Sequence, residues 1–338
     1  MKKILPAIVM LITVWTSASA QVKVVDADNN MPVDAASVFN NETKTLIGLT
    51  DEQGTMPQGA EKATSLILQH INYGSIKIAA SDIKNDTIRM KSLTFSVPEV
   101  TVEKDPDKIL RMKTYIRSYS YVCEKPMKVS ESICYLYFKN GEEGRPKVKK
   151  MSELAYTDVK ALGEQSTAIQ VFADDDESQF FRINNYPLYD ALKEGARVTG
   201  HRGDRKVCVY HMAEDTVRQT CEITLDSGYV DKPFNFPLFR ISISDHYRSE
   251  KYTTASGKPK LVNLLSCMNK YRVTMNKTKK TVDIVAEYYP LEFDYVMKDE
   301  MKEQRKNKQR VKFERPDNMP PLVSVMEEAK KTMTITEQ

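Results

Sequence analysis

Between residues 21 and 104, short apolar runs alternate with turn chemistry so regularly that they read as the strands of a small β-sandwich. The runs fall at residues 22–25, 36–39, 66–69, 75–79, 87–90 and 99–102. Between them stand Asp28-Asn29-Asn30-Met31-Pro32, Asn40-Asn41, Thr50-Asp51-Glu52-Gln53-Gly54 and Asn72-Tyr73-Gly74. Each of these groups is rich in residues that turn a chain rather than extend it. The tightest signal is at Asp51 and Gly54. The Asp51 carboxylate can accept from backbone N–H groups just ahead of it, and Gly54 can take the positive φ that closes the turn. With a further strand over residues 43–49, seven are expected, the last two over residues 86–90 and 97–103. Asp51 and Gly54 are read as a structural turn, not as ligands.

The residues ahead of this block have the composition of an export signal. Lys2 and Lys3 precede an apolar core over residues 4–15, and Ala18-Ser19-Ala20 supplies small residues for cleavage. The core is short of the about 20 apolar residues that a membrane span needs. A signal peptide over residues 1–20 is therefore expected, with export to the periplasm or an outer-membrane-associated site. Removing it leaves 318 of 338 residues and lowers the net charge from +4 to +2. That length suffices for two domains. A near-neutral balance argues against a nucleic-acid partner, which calls for a basic stripe.

Beyond the first domain, Lys104-Asp105-Pro106-Asp107 marks a boundary. Asp105 can cap a helix begun by Pro106, and Ile109, Met112, Ile116 and Tyr119 fall at helical spacing, which predicts a connecting helix over 105–119. Residues 120–296 return to strand-like runs at 132–139, 153–159, 206–211, 219–225, 239–246, 261–268, 271–276 and 282–289, with a helix at 187–195. The expected body is a large antiparallel sheet with one or two packed helices, so the whole chain is expected to be mainly β. Over residues 298–315 the chain holds eight Lys or Arg against four Asp or Glu, and prolines follow at 316, 320 and 321. Residues 297–338 are read as a solvated charged helix and a tail.

Several residues of the first block together resemble a carboxypeptidase regulatory-like domain, whose fold is a transthyretin-like sandwich. They are Asp26, Pro32, Ala35-Ala36-Ser37-Val38, Thr50-Asp51-Glu52-Gln53-Gly54, Tyr73-Gly74 and Pro98-Glu99-Val100-Thr101-Val102. Where the family has Gly-Tyr, this chain has Asn72-Tyr73. The resemblance implies a module that accompanies the chemistry of zinc carboxypeptidases without performing it, and that in Gram-negative envelope proteins precedes outer-membrane transporters and other partners. The later block, with Glu153 and the step from Gly257 to Leu261, resembles the half-barrel of periplasmic lipoprotein carriers, which implies a concave face able to hold an acyl chain or peptide.

The one motif with metal-ligand spacing is His211-Met212-Ala213-Glu214. In zinc carboxypeptidases an HxxE supplies two ligands, but here it is expected at a β-turn, and the only later histidine is His246. No metal or other cofactor is assigned. Arg202-Gly203-Asp204 forms a tripeptide readable only on an exposed loop, and Asp174-Asp175-Asp176-Glu177 lacks the alternation of a calcium loop. Cys208 and Cys221 are equidistant from Glu214-Asp215, and Cys123 and Cys134 from Lys128-Val129. In simple hairpins either pair could form a disulfide, with Cys267 left as a core thiol. The expected function is non-catalytic: an envelope protein presenting a binding surface to a protein or glycan. A carrier of a hydrophobic ligand in the second sheet is the alternative, and a metallopeptidase-like enzyme the third reading.

Overall fold

The structure, a computed structural model, describes residues 21–93, 108–138, 146–167, 169–170, 186–193, 197–202, 205–226, 234–236, 240–255, 257–307, 309, 311–317, 319–322 and 324–337. It is mainly β, as the alternation of runs and turns predicts. No helix among the described residues is long and apolar enough to cross a membrane. The expected signal peptide, the seventh sandwich strand at 97–103, the acidic run at 174–177, and Gly203 and Asp204 lie outside the described residues.

Six strands build the first body: β1 (Lys23–Asp26), β2 (Ser37–Asn40), β3 (Leu46–Leu49), β4 (Ser65–His70), β5 (Tyr73–Ala79) and β6 (Thr87–Met90). β1 and β6 pair in parallel, and the other four form an antiparallel sheet in the order β3-β2-β4-β5. Side chains alternate along β2 and β4. Val38, Leu66 and Leu68 fill the interior of the sandwich with Val24, Ile88 and Met90. Phe39 and Ile67 point the other way and join a second core shared with the large sheet. The unbroken apolar run at Leu66-Ile67-Leu68 marks a strand covered on both faces, and the sandwich thus docks by a face that would otherwise meet solvent.

The second body is an eleven-stranded antiparallel sheet, its long strands in the order β10-β11-β12-β14-β15-β16-β7-β8-β9-β17. These are β7 (Lys108–Val122), β8 (Lys125–Phe138), β9 (Lys147–Thr157), β10 (Val198–Arg202), β11 (Arg205–Asp215), β12 (Thr220–Asp226), β14 (Ile241–Thr253), β15 (Leu264–Met275), β16 (Thr281–Met297) and β17 (Thr334–Glu337). A short β13 (Phe234–Phe236) pairs with β14. Helix α1 (Val159–Gly163) is followed by α2 (Tyr186–Lys193), where the sequence places a helix, and by α3 (Lys298–Lys306) and α4 (Ser324–Lys330).

The expected connecting helix is instead β7, at the centre of the sheet between β16 and β8. The helical spacing of Ile109, Met112, Ile116 and Tyr119 arises because the stretch is apolar at both parities. Leu110, Met112 and Ile116 enter the core on one face, and Tyr115, Tyr119 and Tyr121 that on the other. Aromatic and β-branched residues dominate it, and such residues suit a pleated surface better than a helix. Residues 261–276, expected as two strands, are a short 3₁₀ turn followed by the continuous β15.

Both faces of the large sheet are covered by the chain itself. On the face away from the sandwich, Tyr189 and Leu192 of α2 and Leu261 pack on Ile223, Tyr252 and Tyr288. On the other face the sandwich shares the cover with Phe313, Leu322, Val325 and Met326, so the C-terminal stretch is a docked segment and not the solvated tail its charge suggests. Beneath it Arg117, fully buried, pairs with Glu287 at 2.6 Å and donates to the carbonyl of Pro320 at 2.8 Å. Gln69 of β4 reaches the same cluster, 3.1 Å from the Tyr119 hydroxyl and 3.4 Å from Glu287.

Candidate functional site

The register of the large sheet decides which side chains can meet. His211 pairs with Thr224 and Glu214 with Cys221, both inside β11 and not at a turn. Residues three apart on a strand point to opposite faces. His211 accordingly faces the sandwich, 3.5 Å from Asp34, while Glu214 lies 3.7 Å from Lys193 of α2 on the far side. His246 sits at a bulge in β14, and its Nε2 is 3.0 Å from Asn269 Oδ1. The HxxE motif therefore does not converge. Among the described residues no group of three or more His, Cys, Asp or Glu is placed to hold a metal ion.

Neither expected disulfide is formed, and all five cysteines are free. The hairpins turn elsewhere than the sequence symmetry places them. Since Glu214 pairs with Cys221 and Val209 with Asp226, Cys208 lies six residues along from the partner of Cys221, about 20 Å at strand spacing. That is far outside the reach of a disulfide. β7 and β8 are joined by Cys123 and Glu124, both at positive φ (49° and 69°), while Cys134 pairs with Thr114 well down the strand. Two residues at positive φ make the tight hairpin turn usually written with Gly or Asn, and its sequence here carries no such mark.

What the fold does bring together is a cavity of about 290 Å³ at the seam between sandwich and sheet. The sandwich contributes the β1–β2 loop with Asp34, the Asp51 turn with Glu52, the end of β4 with His70, and Tyr73 of β5. From the sheet come His211 on β11, Glu222 and Thr224 on β12, and Tyr247 on β14. The register places all four on one face: His211 pairs with Thr224, Thr224 with Ser249, and Tyr247 lies two residues from Ser249.

The Asp51 turn holds one rim. Its Oδ1 accepts from Gln53 N at 3.0 Å and Thr55 N at 2.7 Å, the Gly54 N–H donates to Asp51 O at 2.8 Å, and Gly54 has φ of 70°. A Cβ at Gly54 would meet Val24 O at 2.2 Å, so the position admits only glycine. The turn fixes Glu52, which takes a hydrogen bond from Arg197 across the seam. A second clasp is Arg218, which donates to Asp26 at 3.1 Å, to Asp215 at 2.8 Å and to Asp28.

Asn72, which stands where the resembled pattern has glycine, bonds to Glu222 of the wall. Its Oδ1 accepts from Ser266 Oγ at 2.7 Å and its Nδ2 donates to Glu222 at 3.4 Å, which ties the sandwich to β15 and β12. The Asn72 N–H donates to His70 Nδ1 at 3.1 Å, so the neutral ring carries its proton on Nε2. Burial depresses the His70 pKa and keeps the ring neutral, with Glu222 pulling the other way. Burial likewise raises the Tyr73 and Tyr247 hydroxyls, and nearby Glu222 adds to both.

Three polar atoms of this wall are buried without a hydrogen-bond partner: Asp34 Oδ2, His211 Nδ1 and the Tyr247 hydroxyl. An unsatisfied buried polar group costs about 1–3 kcal/mol, so these three leave this part of the seam polar and poorly satisfied. None of Asp34, His70, Glu222 and Tyr247 belongs to a motif. They come from four separate segments, and only the docking of sandwich on sheet assembles them. No protein-family model matches the chain, and no curated protein matches it.

Proposed function

We propose that this is a non-catalytic binding protein of the bacterial cell envelope, with its ligand site in the cleft between sandwich and sheet. The observation that carries this reading is the trio of unpartnered buried atoms on Asp34, His211 and Tyr247 around one cavity. Pockets that bind small molecules are concave and place a few polar groups with care, and about 300 Å³ is the lower end of their range. The divergence of His211 and Glu214 speaks against a carboxypeptidase-like centre. A carrier's open apolar groove has no support from a sheet packed on both faces. Export is supported by the composition of residues 1–20, and an accessory role by the resemblance of residues 21–104 to a regulatory-like module.

The test is a thermal-shift screen of the purified mature chain against small-molecule fractions from the envelope, run beside Asp34→Asn and Tyr247→Phe. At least one fraction is expected to raise the Tm of the wild type and leave both variants unmoved. Equal shifts in all three proteins, or none in any fraction, would remove the cleft as the binding site.

A further inference from the structure

We infer that the cleft recognises a small ligand through a protonated amine. This rests on the reading of the cleft as the ligand site and goes beyond it by naming the chemistry of the ligand. The charges on the cavity wall are Asp34, Glu52 and Glu222 against Arg197, with His70 and His211 between them. Arg197 is engaged by Glu52 at the rim. Glu222 receives only neutral donors in its hydrogen bonds, from Asn72 and Ser249, although Lys251 pairs with it in register from β14. Asp34 keeps one oxygen unpartnered, 3.5 Å from the imidazole of His211.

A carboxylate or phosphate entering this space would meet two carboxylates and a rim arginine already engaged. An ammonium would meet the carboxylates of Asp34 and Glu222 beside two tyrosine side chains. Tyr247, 97% buried, and Tyr73 both line this space. Aromatic faces beside carboxylates are how proteins hold desolvated cations, because ring quadrupole and charge act in the same direction. A hydrogen-bond donor with several protons also matches His211 Nδ1 and Asp34 Oδ2, which can both accept. The volume, about 290 Å³, lies at the lower end of the range for small-molecule pockets and suits a small amine.

The probe is 1,4-diaminobutane, titrated into the mature chain labelled at histidine, at pH 8 where ordinary imidazoles are neutral. Butane-1,4-diol and succinate serve as matched neutral and anionic probes. Saturable movement of the His70 and His211 ring resonances by the diamine alone is expected, weakened at least tenfold in Asp34→Asn and in Tyr247→Phe. The second variant removes no charge and keeps the ring, so it reports even where loss of Asp34 unsettles the seam. Equal or stronger movement by the diol or by succinate would overturn the amine and leave the cleft as a site. Silence from all three probes would overturn the amine, and silence together with a failed thermal-shift screen would overturn the site as well.

Discussion

His211 and Glu214 stand three residues apart on β11 and face opposite sides of the sheet, one toward Asp34 and the other toward Lys193. Two side chains so separated cannot share a metal or a reacting atom. Their substitutions to alanine should therefore be independent, with stability effects that add within about 0.5 kcal/mol in a double-mutant cycle. Calorimetric titration with zinc should give the same trace for the wild type, His211→Ala and Glu214→Ala. Loss of stoichiometric binding in both single variants would restore the motif as a ligand pair.

Arg117 and Glu287 form the deepest ion pair of the interface, each 2% exposed at the side chain. Removing one partner strands a charge under the sandwich, at a cost of about 3–5 kcal/mol. Urea unfolding of Arg117→Met should show a loss of that order. Arg117→Met/Glu287→Met, which leaves no stranded charge, should recover much of it. If the double variant is less stable than the single, the pair contributes more than desolvation removes.

Stability should fall as the medium is acidified, in two separate windows. His70 and His246 have native pKa values depressed by burial, so below the unfolded histidine value of about 6.5 the unfolded chain binds protons that the native chain refuses. Stability is complete above that value and declines as pH falls toward the native one, by up to about 1.4 kcal/mol per pH unit for each group. Asp26 and Asp215, held low against the effect of burial by backbone N–H groups and by the Arg218 guanidinium, act only below about pH 4. Unfolding of His70→Asn between pH 7 and 5 should be flatter than that of the wild type. An unchanged slope would place the responsible proton elsewhere.

The five thiols should react in two classes. Cys123 is exposed at the β7–β8 turn, whereas Cys134, Cys208, Cys221 and Cys267 are buried. Burial pushes the Cys221 and Cys267 thiols up to about 12, which leaves almost no thiolate at neutral pH. Maleimide should modify one thiol per native chain and five after unfolding, with no gain on prior reduction. Labelling that requires a reductant would reinstate one of the cross-strand disulfides.

The class of the fold was readable because most strands carry a period-two pattern or end at Gly, Asn or Asp, and the Asp51-to-Gly54 turn is written in residues that make such turns. β7 was not readable as a strand. A segment apolar at both parities matches helical and extended spacing equally, and its centre-of-sheet position is decided by β16 and β8. The Cys123-Glu124 turn was hidden because neither residue advertises positive φ, and that misplaced both the hairpin and its cysteines. The cleft was out of reach for a different reason. Asp34, His70, Glu222 and Tyr247 acquire a common neighbourhood only when one body docks on the other, and no local pattern encodes a docking orientation.

Native mass spectrometry of the full chain, isolated without denaturation, addresses the cleft most directly. The expected spectrum shows one small polar molecule bound per wild-type chain, absent from Asp34→Asn and Tyr247→Phe. A lipid-sized adduct retained by both variants, or a wild-type chain that carries nothing, would contradict the assignment of the seam as the place where this protein binds.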